Sequence, residues 1–335
     1  MPDADTDTKL KGDDTMLLSR VAESVYWGGR YLERAEATAR LVMVHSELYL
    51  DLPKSANIGW SPLLAVTGSW DGFRTSHPDA SEEDVVSFLA ADADNAGSIV
   101  ASIAQARHDL RTTRAMLPSS AWHVLNQLHL WAMDTRADSV DRRTRATWMG
   151  EVIARCQLLC GLVTGTMSHD ECYSFLEVGR LVERADMTTR VLDVQAGILT
   201  RQLGEDADPY ADVTWMSVLR SLAAGQMFRR TSSVGAPGQE ALRFLLKDPR
   251  FPRSVEYCLI GLSRALLELP HADKPMAGCA RLQTALEDVD VADLAGSALH
   301  PFVDRLQEGI ADVHDLVSET YFRTAPAGSA VLAMT

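Results

Sequence analysis

The sequence predicts an all-α fold: an internally duplicated helical bundle with a pseudo-twofold arrangement of two long helices. First, a charged segment at residues 29–40 returns at residues 179–190, an offset of 150 residues, and both copies have apolar residues at helical spacing. Second, further short segments recur in the same order at offsets of 155 or 156 residues, such as Trp60 and Trp215. Third, the sequence has no sustained β-branched alternation and no Asn-Gly hairpin signal.

The duplication divides the chain into two helical repeat units, which are expected to form one domain. The first unit covers residues 16–167 and the second covers residues 168–325. Residues 1–15 are polar and acid-rich, which predicts a disordered acidic tail, and residues 326–335 are expected to form a flexible C-terminal tail.

In the first unit, a long helix is predicted over residues 17–51, with a stripe of apolar and small residues on one face. A short helix follows at 60–64, then a loop at 68–77 anchored by Trp70 and Phe73. Ser81 is a predicted N-cap because three acidic residues follow it. The remaining helices are expected at 97–116, 119–135 and 144–166, with a charged connection at 138–145.

The second unit repeats this plan. Its long helix is predicted at 176–203, and Trp215 is expected to open a short helix as Trp60 does. Residues 244–255 align with residues 88–99. Within them, the Asp-Pro-Arg-Phe-Pro-Arg segment 248–253 has two prolines with fixed φ angles, and it is interpreted either as a rigid elbow before a helix or as a charged loop for a partner.

Composition excludes some classes of function. The formal net charge of −14 argues against a nucleic acid or an anionic membrane as the main partner, because either would need a basic surface. No apolar run approaches the roughly 20 residues of a membrane span. An odd number of cysteines, without a signal peptide, predicts reduced thiols and a cytoplasmic location. These five cysteines are Cys156, Cys160, Cys172, Cys258 and Cys279.

The doubled segment supplies the candidate binding residues. They are the charged side chains Arg30, Glu33, Arg34 and Glu36 in the first copy, and Arg180, Glu183, Arg184 and Asp186 in the second. Three interpretations are open: a solvated face with ion pairs along each helix, a buried interface where Glu33 meets Arg184 and Glu183 meets Arg34, or a cleft whose arginines hold a carboxylate or phosphate. Arg30–Glu33 and Glu36–Arg40 have the spacing of pairs within one helix.

Other chemistry has little support in the sequence. No glutamate has a histidine three residues later, as a di-iron helix bundle would need, and no zinc-site spacing of Cys and His occurs. Gly-x-Ser-x-Gly, Walker and Gly-x-Gly-x-x-Gly motifs are also missing. Isolated histidines such as His45 and His169 are interpreted as packed or exposed structural residues. We therefore predict no metal, no cofactor and no known set of catalytic residues.

Several motifs resemble those of one bacterial family, the alpha-E domain proteins. They are the opening segment from Ser19 to Trp27, the two Glu-Arg segments after it, and the Phe244 to Val255 segment. The resemblance implies an all-helical cytosolic protein that works with a circularly permuted ATP-grasp ligase, often beside a transglutaminase-like protein. It implies no catalytic residues.

Three functional hypotheses follow. The first is an accessory subunit of an ATP-grasp peptide-ligase system, which binds the ligase or its peptide or amino-acyl substrate. The second is an enzyme that acts on the ligated peptide or amide product through a Glu/Arg cleft. The third is a structural scaffold, with a homo-oligomer left open.

Overall fold

The structure is a computed structural model that describes residues 17, 19–53, 58–202, 211–231, 237–294 and 298–322. The predicted tails at 1–15 and 326–335 lie outside these residues. The described ranges contain fourteen α-helices and no strand, so the all-α prediction is confirmed. None of the described helices is both long enough and apolar enough to cross a membrane.

The described residues place seven α-helices in each half of the chain. In the first half they are α1 (Ser19–Asp51), α2 (Ser61–Val66), α3 (Trp70–Arg74), α4 (Glu82–Val86), α5 (Ile99–Thr112), α6 (Ser119–Asp134) and α7 (Arg145–Thr166). In the second half they are α8 (Glu171–Gln202), α9 (Ala211–Ser221), α10 (Gly225–Thr231), α11 (Pro237–Lys247), α12 (Val255–Leu267), α13 (Asp273–Asp288) and α14 (Leu299–Tyr321). Short 3-10 segments occur at Arg114–Met116, Arg136–Ser139 and Val291–Leu294, and a π-helical turn at Ser87–Ala91.

The long helices α1 and α8 form the centre of the bundle. They pack on each other, α5 and α7 pack on α1, and α12 and α14 pack on α8. Residues 35–42 of α1 are all buried, which means that α1 is covered on every side there. The predicted single buried stripe was therefore too narrow, because periodicity along one helix does not show how many neighbours surround it.

Two glycines let α1 and α8 approach closely. The helices run in the same direction, since Leu17 contacts Glu171 near their starts and Arg34 contacts Glu183 further along. A Cβ atom on Gly29 would collide with the carbonyl oxygen of Leu176. One on Gly179 would collide with the carbonyl oxygen of Tyr26. A side chain at either glycine would thus push the two backbones apart.

Local contacts also recur between the halves. The hydroxyl of Ser98 donates to the carbonyl of Asp92 and accepts from the amide of Ala101. Ser254 repeats this cap, with Asp248 and Tyr257 as its partners. In addition, the Phe73 ring meets Phe88 as the Phe228 ring meets Phe244. These contacts agree with the predicted correspondence of 88–99 with 244–255, while the duplication and the pseudo-twofold arrangement stay predictions.

Two local predictions were wrong. The loop predicted at 68–77 contains helix α3, in which Phe73 is buried. Trp215 lies within α9 and does not open it. Aromatic residues among turn-forming neighbours do not mark where a helix begins, because burial against other elements decides it. By contrast, Ser81 caps α4 as predicted, accepting from the amide of Asp84.

His45 is packed near the C-terminal end of α1, as the structural interpretation expected. Its ring lies 4.8 Å from the ring of Trp60, and its Nε2 lies 3.1 Å from the carbonyl oxygen of Gly59. Burial lowers the pKa of His45 to about 4, outweighing the upward effects of the Gly59 hydrogen bond and of Glu82. His45 therefore stays neutral in the folded protein at neutral pH.

We expect the stability to fall as the pH drops from about 6.5 to about 4. The unfolded chain binds a proton at the ordinary histidine pKa, whereas His45 in the folded protein binds one only near pH 4. Lowering the pH therefore stabilises the unfolded state relative to the folded state. We expect His45 to account for a loss of about 3 kcal/mol in the free energy of unfolding. Chemical denaturation at both pH values measures the free energy of unfolding of the wild type and of His45→Gln. An equal drop in both proteins would contradict this role.

Candidate functional site

Glu33 lies at the centre of the interface between α1 and α8. Its side chain is 2% exposed and receives two guanidinium groups. Arg184 donates from Nε at 2.8 Å and from Nη2 at 2.6 Å, one bond to each carboxylate oxygen. Arg253 donates from Nη1 at 2.7 Å. Both oxygens of Glu33 therefore have charged donors.

Glu183 occupies the corresponding position on α8. Its side chain is 1% exposed. Arg34 donates from Nε at 2.5 Å and from Nη2 at 2.9 Å, and Arg30 donates from Nε at 2.8 Å. The predicted pairs Glu33–Arg184 and Glu183–Arg34 are thus confirmed. The solvated-face interpretation was wrong, and so was the pairing of Arg30 with Glu33, because Arg30 reaches across to the other helix.

Both glutamates are held in the ionised form. Burial by itself would raise the pKa of Glu33, but Arg184 and Arg253 together hold that pKa well below its usual range. For Glu183, the opposing effects of burial and of Arg34 and Arg30 give a lowered pKa. A general acid or base works best with a pKa near the working pH. These carboxylates are suited to holding helices together and poorly suited to proton transfer.

Glu36 and Asp186, the other acids of the doubled segment, differ in their surroundings. Oε1 of Glu36 accepts from Arg40 at 2.7 Å, which confirms that predicted pair, and also from Arg253 at 2.7 Å and Gln157 at 3.2 Å. Oε2 of Glu36 accepts no hydrogen bond from any residue that the structure describes. Asp186 pairs with Arg190 at 2.8 Å, and burial is the main cause of its raised pKa.

Arg180 breaks the correspondence with Arg30. Its guanidinium contacts both carboxylate oxygens of Glu177 and the Sγ atom of Cys160. Arg30 instead lies over the Trp27 ring, 5.1 Å from its centroid. The two copies of the segment therefore place equivalent arginines in different environments, which identical letters in the sequence cannot show.

Arg253 is the main site residue that the sequence interpretation missed. The segment 248–253 forms the turn before α12, and Ser254 caps that helix. However, Arg253 turns inward to Glu33 and Glu36 instead of facing a partner. In the sequence, Arg253 lies between Pro252, which has a fixed φ angle, and the cap residue Ser254, and both neighbours restrict the direction of the Arg253 side chain. Its target, 220 residues away along the chain, could not be read from these neighbours.

A cavity lies beside this interface, between α1, α5, α6, α7 and α8. The volume of the cavity is about 40 Å³. Its walls are mostly apolar, with leucine the most frequent residue, and four charged residues line it: Glu33, Glu36, Glu177 and Arg180. The cavity is thus narrow, largely apolar and charged in one region.

Cys160 lines this cavity, and we expect it to be the most reactive of the five cysteines. It is partly exposed, whereas the other four are buried. Burial raises the pKa of Cys172 and Cys258 to about 12 and that of Cys279 to about 11, and it is also the main cause of the raised pKa of Cys156. Methyl methanethiosulfonate followed by peptide mass spectrometry should modify Cys160 first. Earlier modification of a buried cysteine would contradict this assignment.

The Glu-Arg pairs correspond to a motif of the family to which the chain is similar. A model of the Alpha-E family, described as a predicted alpha-helical domain with a conserved ER motif, matches residues 17–322. This chain has Glu-Arg at 33–34 and again at 183–184. These four residues form the two confirmed pairs between α1 and α8.

The similar curated proteins are uncharacterized mycobacterial proteins. One from Mycobacterium bovis is 26% identical over 270 residues, which is 75% of this chain and 30% of that protein. One from Mycobacterium tuberculosis is 25% identical over the same shares. The match therefore spans about a third of the length of these relatives. No solved structure matches the chain. Because the family model covers most of the sequence, the chain belongs to the Alpha-E family.

Proposed function

We propose that this chain is an accessory helical subunit of an ATP-grasp peptide-ligase system, and that it binds the ligase or its peptide or amino-acyl substrate. The observation that carries the proposal is that the Glu-Arg residues bond to each other between α1 and α8. Glu33 and Glu183 are buried, ionised and bonded to arginines on every oxygen. The motif then keeps a helical platform in one shape, and the ligation chemistry belongs to the partner.

The relatives support a role beside a larger protein. In each mycobacterial relative, about 70% of the polypeptide lies outside the matched region. In those proteins the domain is therefore joined to a longer chain, and we propose that this chain works with an equivalent partner. By the resemblance, that partner is a circularly permuted ATP-grasp ligase. A transglutaminase-like protein is a second expected partner.

The enzyme alternative is less favoured by the site. A Glu/Arg cleft that acts on an amide product would need a carboxylate free to move a proton. Glu33 and Glu183 instead have lowered pKa values, since neighbouring arginines outweigh burial. Their arginines are also occupied, which leaves little capacity for a substrate carboxylate or phosphate. A cytoplasmic location forms part of the proposal and agrees with five unpaired thiols.

The test is to express this chain with the ATP-grasp ligase from the same genome. We expect the two proteins to elute together in size-exclusion chromatography, and the ligase to hydrolyse ATP faster or to couple it better to amide formation when this chain is present. The control is the same ligase with an unrelated acidic helical protein. Separate elution together with unchanged ligase activity would refute the proposal.

A further inference from the structure

Asp193, His300 and Asp304 form a group of metal-binding side chains outside the Glu-Arg clusters. Asp193 lies on α8, and His300 and Asp304 lie about one helical turn apart on α14, which packs on α8. Each side chain offers one ligand atom, and these three atoms lie within 4.8 Å of one another. Among the residues that the structure describes, this is the one group of three such side chains that meets this limit.

Two of the atoms have the spacing of zinc ligands. Nε2 of His300 and Oδ2 of Asp304 are 3.5 Å apart. Zinc lies about 2.0–2.2 Å from nitrogen and oxygen ligands, so two ligands of a tetrahedral zinc ion are about 3.3–3.5 Å apart. Two ligands four residues apart on one helix face also have the spacing of the His-Glu-x-x-His zinc motif. An ion between these two atoms would therefore be at bonding distance from both.

Asp193 holds the His300 ring from its other side. Oδ1 of Asp193 lies 2.5 Å from Nδ1 of His300. A metal-binding histidine usually donates its second ring N–H to a carboxylate or a carbonyl oxygen, which orients the ring. In the tautomer that is protonated at Nδ1, this hydrogen bond leaves the lone pair of Nε2 available to an ion.

The charge of the group also favours a cation. Asp193 and Asp304 form no ion pair with an arginine or a lysine in the described part of the chain, and His300 is the partner of both. By contrast, Glu33 and Glu183 each have two arginine partners. The side chains of His300 and Asp304 are 60% and 49% exposed, so an ion can enter from the solvent and keep water on its remaining positions.

We propose that Asp193, His300 and Asp304 form a zinc site, in which Nε2 of His300 and Oδ2 of Asp304 bind the ion and Asp193 orients the ring. An imidazole ligand favours zinc over calcium and magnesium, which prefer oxygen ligands. Because Asp193 is 107 residues from His300 along the chain, no local spacing in the sequence indicates this group. The proposal replaces the prediction of no metal, and it does not depend on the ligase partnership.

The first test is zinc binding by the wild-type protein, without a purification tag and after treatment with a chelator. Calorimetry at pH 7 should show one zinc ion bound per chain, and zinc should raise the melting temperature because it binds the folded state. Calcium and magnesium should bind at least about tenfold more weakly. No zinc binding, or equal binding of calcium, would overturn the proposal.

The second test uses variants of the three side chains. His300→Ala should abolish zinc binding, and Asp304→Asn and Asp193→Asn should each weaken it at least about tenfold. His123→Ala is the matched control, because His123 is exposed on α6 and belongs to no such group in the described residues. Zinc binding that persists in His300→Ala, or that falls equally in His123→Ala, would place the ion elsewhere and contradict the assignment.

Cobalt(II) distinguishes this site from binding to the partly exposed thiol of Cys160. Nitrogen and oxygen ligands give cobalt only weak visible bands, whereas a thiolate adds strong absorption in the near ultraviolet. We expect the weak bands alone, and Cys160→Ser should bind zinc as the wild type does. A thiolate band, or loss of zinc binding in Cys160→Ser, would refute the site. Circular dichroism establishes that each variant folds, and the exposed positions 300 and 304 decide the matter if Asp193→Asn does not fold.

Discussion

Glu33→Gln should lower the free energy of unfolding by about 3 kcal/mol or more. The change keeps the size of the side chain and removes its charge, so Arg184 and Arg253 lose the carboxylate that compensates them in a buried place. The loss is large because breaking a buried ion pair leaves an unpaired charge away from water. Urea denaturation at pH 7 measures it.

Glu151→Gln is the matched control for this substitution. Glu151 pairs with Arg155 on the surface of α7, where its side chain is 46% exposed. An exposed pair of this kind contributes only about 0.3–0.5 kcal/mol. A similar small effect at Glu33 would mean that the buried pairs add little to stability, and the structural account of the Glu-Arg motif would fail.

Gly179→Ala should destabilise the protein by about 3 kcal/mol, although alanine is the better helix former. The new methyl group would collide with the main chain of Tyr26 on α1. A backbone atom cannot turn aside as a flexible side chain can, so the two long helices would have to separate. Separation would also lengthen the hydrogen bonds of the Glu33 and Glu183 clusters. Thermal and urea denaturation both report the change.

The control for this prediction is Gly161→Ala. Gly161 also lies within a helix, but a Cβ atom there would meet nothing within 4 Å. That variant should be more stable than the wild type by about 0.5–1 kcal/mol, since alanine has the lower entropy cost in a helix. If the two variants behaved alike, the close approach of α1 and α8 would be contradicted.

Both predictions bear on the function proposed for the chain. If the Glu-Arg pairs and the two glycines mainly stabilise the helix interface, substitutions there should reduce partner binding only as far as they unfold the protein. A stable variant at Glu183 that loses the ligase would instead assign the motif a direct contact role. Measuring stability and co-elution on the same samples separates these two cases.

The all-α class could be predicted from the sequence alone, and the two pairs between α1 and α8 were one of three interpretations that the sequence left open. The sequence could show this much because helical periodicity is a local property, and because the repeated segment contains matched acids and arginines. The sequence also identified the N-cap at Ser81, where a hydroxyl directly precedes the helix that it caps. These features depend on a few neighbouring residues, or on one pattern written twice.

The surroundings of Glu36 and Arg253 depend on how distant parts of the chain pack together. Arg253 reaches Glu33 over 220 residues of chain, and Gln157 reaches Glu36 over 121. Whether such groups meet depends on how closely the helices pack and at what angle, which no local pattern specifies. The cavity has the same origin, since side chains from five helices enclose it. Local interactions therefore determined the helices, whereas the packing between them determined the candidate site.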